Sequence, residues 1–155
     1  MKPLITFALI TIILFSCNTA TVTDNQKPTA AAIEGTWKLL NGTLIEKADT
    51  TITDYTKNLS FIKIINQTHF AFLQHDLNKG KDSTAAFTAG GGNYTLKDST
   101  YTEHLEYCNA REWENNDFPF TITIKDDTLI QRGIEKIDSL GINRLNIERY
   151  VRIKK

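Results

Sequence analysis

The sequence predicts an all-β, antiparallel domain, and three observations predict it. Apolar and polar residues alternate with a period of two, the alternating residues are largely β-branched or aromatic, and clusters of turn formers interrupt the pattern at short intervals. Residues 35–41 give one strand, and residues 44–53 extend or follow it. Residues 59–65 and 68–75 flank Asn66-Gln67 as a hairpin, whose second arm ends in the polar stretch 76–82. Two more hairpins follow: 92–96 with 100–107 around Lys97-Asp98-Ser99, and 118–125 with 128–133 around Asp126-Asp127. Gly90-Gly91-Gly92 opens a strand and not a helix, so it reads as a corner or bulge and not as a phosphate loop. A last strand runs over 143–153. About eight to ten short strands in succession close into an up-and-down barrel or stack as a sandwich.

The two ends of this series favour the barrel. Gly35-Thr36-Trp37-Lys38-Leu39 opens the first strand, and this Gly-x-Trp resembles the opening signature of lipocalins and fatty-acid-binding proteins. In the closing strand Leu145, Ile147, Val151 and Ile153 share one face, and Arg149 falls on that same face. In the lipocalin superfamily a basic residue of the closing strand packs over the signature tryptophan. The resemblance therefore implies Arg149 stacked on Trp37 as a latch, a cation–aromatic pair contributing about 2 kcal/mol if desolvated. More narrowly, Gly35 to Lys38 together with Tyr101-Thr102-Glu103-His104 resembles small lipocalin-like bacterial lipoproteins of a domain-of-unknown-function family. Such proteins imply a calycin-type barrel. No amphipathic helix pair follows the first strand, which sets the chain apart from the fatty-acid-binding proteins.

The N-terminus carries a separate signal. Lys2 precedes an apolar run over residues 4–15, and Ser16 stands before Cys17. This resembles a bacterial lipoprotein signal peptide, and it implies cleavage before Cys17 and lipidation of the thiol. The run is shorter than the roughly 20 residues that a membrane helix needs. Residues 1–16 are thus expected to be the signal peptide, residues 17–33 the lipidated cysteine and a flexible tether, and residues 34–155 one β-barrel domain of ordinary size. The expected address is the bacterial cell envelope, on the periplasmic face or surface of the outer membrane.

Composition narrows the function classes. The chain holds 18 basic and 18 acidic residues, so loss of Lys2 leaves 17 against 18 and a net charge of −1. Nucleic acid and anionic lipid demand clustered Lys and Arg, which this balance does not supply. With Cys17 lipidated, Cys108 is the only other cysteine, so stability must come from a core and not from an internal disulfide.

Candidate chemistry centres on the strand at residues 101–107, where Tyr101, Glu103, Leu105 and Tyr107 fall on one face. A carboxylate facing a barrel lumen demands a partner, and Arg132, Arg149, a tyrosine hydroxyl or a ligand group are the candidates. Phe70 and Phe72 alternate on their strand, and Tyr94 joins them across the sheet; these rings line a cavity or fill a core. Trp113 sits in a polar connection, where it caps a barrel mouth or touches a partner. The expected ligand-binding set is Phe70, Phe72, Tyr94, Tyr101, Glu103, Tyr107, Trp113 and Arg132. No metal or other cofactor is expected. His69 and His75 lie about 20 Å apart along a strand, and His104 with Glu106 lacks a third ligand. Cys108 has no local dyad beyond His104, and no nucleophile elbow appears. The expected function is a non-enzymatic, membrane-anchored module that binds a small apolar or amphipathic molecule. Its rivals are an envelope protein-interaction module with a filled barrel, and an enzyme using Glu103 as a lumenal acid or base.

Overall fold

The computed structural model describes residues 28–154. A short helix, α1 (Ala30–Ile33), precedes nine antiparallel strands: β1 (Gly35–Glu46), β2 (Asp49–Asp54), β3 (Leu59–Ile65), β4 (His69–Asp76), β5 (Phe87–Lys97), β6 (Thr100–Cys108), β7 (Asn116–Lys125), β8 (Thr128–Ile137) and β9 (Ile142–Arg152). Neighbours in sequence pair from β3 through β9, and β9 returns to β1, so these eight strands close an up-and-down barrel. The signal peptide and Cys17 lie outside the described residues.

β1 does three jobs, which explains its length. One edge pairs with β9 from Trp37 to Ile45. The other edge pairs with β3 over Gly35–Lys38 and with β2 over Asn41–Glu46. β2 is therefore an extra strand beside the upper half of β1, after a turn in which Lys47 takes a left-handed φ of 55°. A turn at Glu46-Lys47-Ala48-Asp49 contains no Gly, Asn or Pro, so its composition gives little warning.

Trp37, Leu39, Ile65, Phe70, Tyr101, Phe120, Ile122, Leu129 and Tyr150 fill the lower half of the barrel. α1 plugs that end through Ile33, whose carbonyl accepts the Trp37 indole N–H at 2.8 Å. The cation over Trp37 is Arg152 and not Arg149. Its guanidinium lies 4.1 Å from the ring centroid and donates to the carbonyls of Ala32 and Glu34, each at 2.6 Å. Arg149 is exposed, because β9 turns Leu145, Ile147 and Val151 to the outer face with it and buries Asn146 and Tyr150 instead. The same latch gives Gly35 its reason. The residue has φ +137°, and a Cβ there would stand 2.6 Å from the Arg152 guanidinium.

Two irregularities re-aim side chains. Pairing of β1 with β9 slips between Leu39 and Asn41, so inward positions change from odd to even and Gly42 and Leu44 face the interior. A second bulge lies where Gly91 opposes Tyr107 while Gly92 opposes Leu105. The glycine run predicted to be a corner or bulge thus lies opposite a bulge in β6, and it sits within β5, which begins at Phe87, earlier than the sequence pattern suggests. A Cβ on Gly92 would sit 1.9 Å from the His104 carbonyl oxygen, so only glycine fits.

Candidate functional site

The upper half of the barrel is open. It holds a cavity of about 290 Å³ walled by Tyr55, Phe61, Phe72, Leu105, Phe118 and Phe120, with Trp113 and Ala110 on the loop side. The volume lies at the lower end of the roughly 300–1,000 Å³ typical of small-molecule sites. Phe61 organises the aromatic wall: its ring meets Tyr55 edge-on at 5.6 Å and stacks on Phe72 at 5.9 Å. Trp113 lies in a single 3-10 turn, Arg111–Trp113, with its ring 5.8 Å from Phe118 and 5.0 Å from the Arg144 guanidinium.

Polar side chains from four strands project into this apolar shell. Lys63 of β3 donates to Glu103 of β6 at 2.6 Å and to Gln131 of β8 at 3.1 Å, and its Nζ stands 3.9 Å from Glu148 of β9. Glu148 in turn accepts the Tyr150 hydroxyl at 2.8 Å. Nearer the mouth, Glu135 accepts from Arg144 and Asn146, both at 2.7 Å. The Lys63 Nζ also lies over the rings of Tyr150 and Phe70, at 5.4 and 5.8 Å.

Burial and charge oppose each other here. Burial by itself would depress the Lys63 ammonium, but the Glu103 and Glu148 carboxylates outweigh it and hold its pKa above the ordinary lysine value. Burial raises the Glu103 carboxyl, against the downward pull of Lys63. Tyr150 is pushed up by burial and then by Glu148. The Tyr101 hydroxyl is buried with no hydrogen-bond partner of good geometry among the described residues, and burial, followed by the nearby Glu103 charge, raises its pKa too.

Of the residues singled out from sequence, Phe72, Glu103 and Trp113 line the cavity. Phe70 and Tyr101 belong to the packed core beneath it. Tyr94 sits at the closed end, its ring 5.0 Å from Tyr101 and its hydroxyl donating to the Asn66 carbonyl at 2.9 Å. Tyr107 and Arg132 do not belong to the site. Tyr107 follows the β6 bulge, which reverses parity, leaving its ring 69% exposed while Cys108 faces the cavity. Arg132 is exposed because Leu129, Gln131 and Glu135 hold the inner face of β8. The partner of Glu103 is therefore Lys63, and neither Arg132 nor Arg149. His104 pairs with Asp117 at 2.7 Å, and Glu106 accepts from Asn93 at 3.0 Å, both away from the cavity.

Sequence reasoning missed Lys63, Gln131, Glu135, Arg144, Asn146 and Glu148. One signal was present: Phe61, Lys63 and Ile65 share a parity as apolar as that of Ile62 and Ile64, so the strand allowed an inward lysine. No protein-family model and no curated protein matches the chain.

Proposed function

We propose that this chain is a lipid-anchored, lipocalin-like binding module of the bacterial envelope that takes a small apolar or amphipathic molecule into its barrel, and that it is not an enzyme. The observation that carries this reading is the half-filled interior. The closed end is packed solid around Trp37, Tyr101 and Tyr150, whereas the other half keeps about 290 Å³ open beneath Trp113. A barrel built only as a scaffold has no need of that division. The interior charges support binding over catalysis, because Glu103 is held by Lys63 at 2.6 Å in a structural pair. Anchoring rests on the Cys17 signal in the sequence; among the described residues no helix is long and apolar enough to cross a membrane.

One observation favours a second reading, docking of another envelope protein. Across β3 to β6 the outward row Ile64, Ala71, Gly91 and Tyr107 runs in register, and Leu73 and Phe87 stand exposed beside it. The two readings separate by experiment. The purified full chain is extracted with organic solvent for mass spectrometry and titrated with a fluorescent apolar probe, beside a variant in which Thr88, which lines the cavity from β5, is enlarged (Thr88→Trp) to fill it. Binding of one probe per chain, abolished in the variant, is the expected result. An empty extract with no probe binding overturns the cavity reading in favour of the outer wall.

A further inference from the structure

We propose that the cavity selects a ligand with a protonated amine on an apolar body, and that Glu148 is its counter-ion. This deepens the binding reading above and rests on it. The lining carries three carboxylates, Glu103, Glu135 and Glu148, against two cations, Lys63 and Arg144. Four of these five are matched at close range. Lys63 meets Glu103 at 2.6 Å, and Arg144 meets Glu135 at 2.7 Å. Glu148 is left over. Among the described residues its nearest cation is 3.9 Å away and already engaged by Glu103 and Gln131, and its one short hydrogen bond comes from the neutral Tyr150 hydroxyl.

Accessibility points the same way. Arg144 is 26% exposed and stands with Glu135 toward the mouth; deeper in, the side chain of Glu148 is 15% exposed, against 8% for Glu103 and 3% for Lys63, so beyond the Arg144–Glu135 pair Glu148 is the charge that an incoming group meets first. An excess carboxylate in an apolar shell is costly until a cation or donor reaches it. The surroundings suit a cation. Tyr55 lies close enough to feel the Glu148 charge, and the faces of Tyr55, Phe61 and Phe72 can accept an ammonium and its apolar neighbours. An anionic head group would meet Glu148 as a like charge, with Lys63 held by Glu103 and the Nε of Arg144 held by Glu135. A fatty acid is therefore the wrong ligand for this interior, and a primary alkyl amine is the right class.

Octylamine and octanoate present the same chain length with opposite charge at neutral pH. Titrating the full chain with each by calorimetry is expected to give at least about tenfold tighter binding of octylamine. In Glu148→Gln, whose amide oxygen can still accept from Tyr150, that preference is expected to vanish. Octanoate binding as tightly as octylamine, or more tightly, overturns the amine inference while the cavity reading stands. A preference that survives in Glu148→Gln overturns the assignment to Glu148. Failure of both probes to bind the wild-type chain overturns the inference together with the binding reading.

Discussion

Arg152 and Arg149 are three residues apart on one strand and do unrelated things. Arg152 stacks on Trp37 and ties two carbonyls at the end of α1, whereas Arg149 is exposed. A desolvated cation–aromatic contact with two charge-assisted hydrogen bonds predicts a loss of about 2–4 kcal/mol for Arg152→Ala. Arg149→Ala is expected to stay within about 0.5 kcal/mol of wild type. Urea denaturation midpoints of the two variants check this, and equal losses would refute the assignment. A latch between Trp37 and a basic residue of the closing strand was implied by the resemblance of Gly35-Thr36-Trp37 to the lipocalin opening. Which arginine was hidden. The usual inference that the apolar face points inward fails on β9, where Leu145, Ile147 and Val151 face outward and Asn146, Glu148 and Tyr150 face in.

At the level of elements, the hairpins were readable, and of the two bulges only the one beside the glycine run left a mark in the sequence. Asp98 and Asp126 adopt left-handed φ angles of 57° and 52° at tight turns, as short polar side chains allow, and this marks the β5–β6 and β7–β8 hairpins in the sequence. Bulges leave a fainter trace. Gly90-Gly91-Gly92 announces one, but its effect falls on the partner strand: Glu106 is the extra residue, so Tyr107 turns outward and Cys108 inward. Period-two reasoning carried through Glu106 puts Tyr107 in the lumen, one slip of register being enough to reverse every later side chain. Because the bulge needs Gly92, a Gly92→Ala substitution is expected to cost at least about 3 kcal/mol, at the upper end for overpacked sites, since the clash is with backbone that cannot rotate away. Gly141→Ala is the matched control: its added Cβ meets nothing within 4 Å among the described residues, so its cost is confined to a φ of +65°. Thermal unfolding of both variants tests the difference, and a Gly92→Ala protein no less stable than Gly141→Ala would remove the steric account of the bulge.

For the whole molecule, the decisive feature is that Lys63 joins strands that are not neighbours in the sheet. From β3 it reaches Glu103 on β6 and Gln131 on β8 across the interior, so one side chain braces the barrel through its middle. Removing one partner of a buried pair strands the other charge, and Lys63→Met is expected to lose about 3–5 kcal/mol. Taking out both charges, as Lys63→Met with Glu103→Met, is expected to recover most of that loss. The pH dependence follows from the same groups. Lys63 has a pKa raised in the folded state, so its contribution is complete below the unfolded value near 10.4 and is lost as pH rises through the folded one. Tyr101 and Tyr150, also raised, act in the same direction: above about pH 10 the unfolded chain releases their protons while the folded chain keeps them. Each such group steepens the alkaline fall in stability by about 1.4 kcal/mol per pH unit. Denaturant unfolding between neutral pH and pH 11 should therefore show a steep alkaline loss in the wild type. The loss should be shallower in the double variant, where the tyrosines remain and the lysine is gone. A double variant with the wild-type slope would mean that Lys63 does not keep its proton through folding, and the brace would then be a neutral hydrogen bond and not an ion pair.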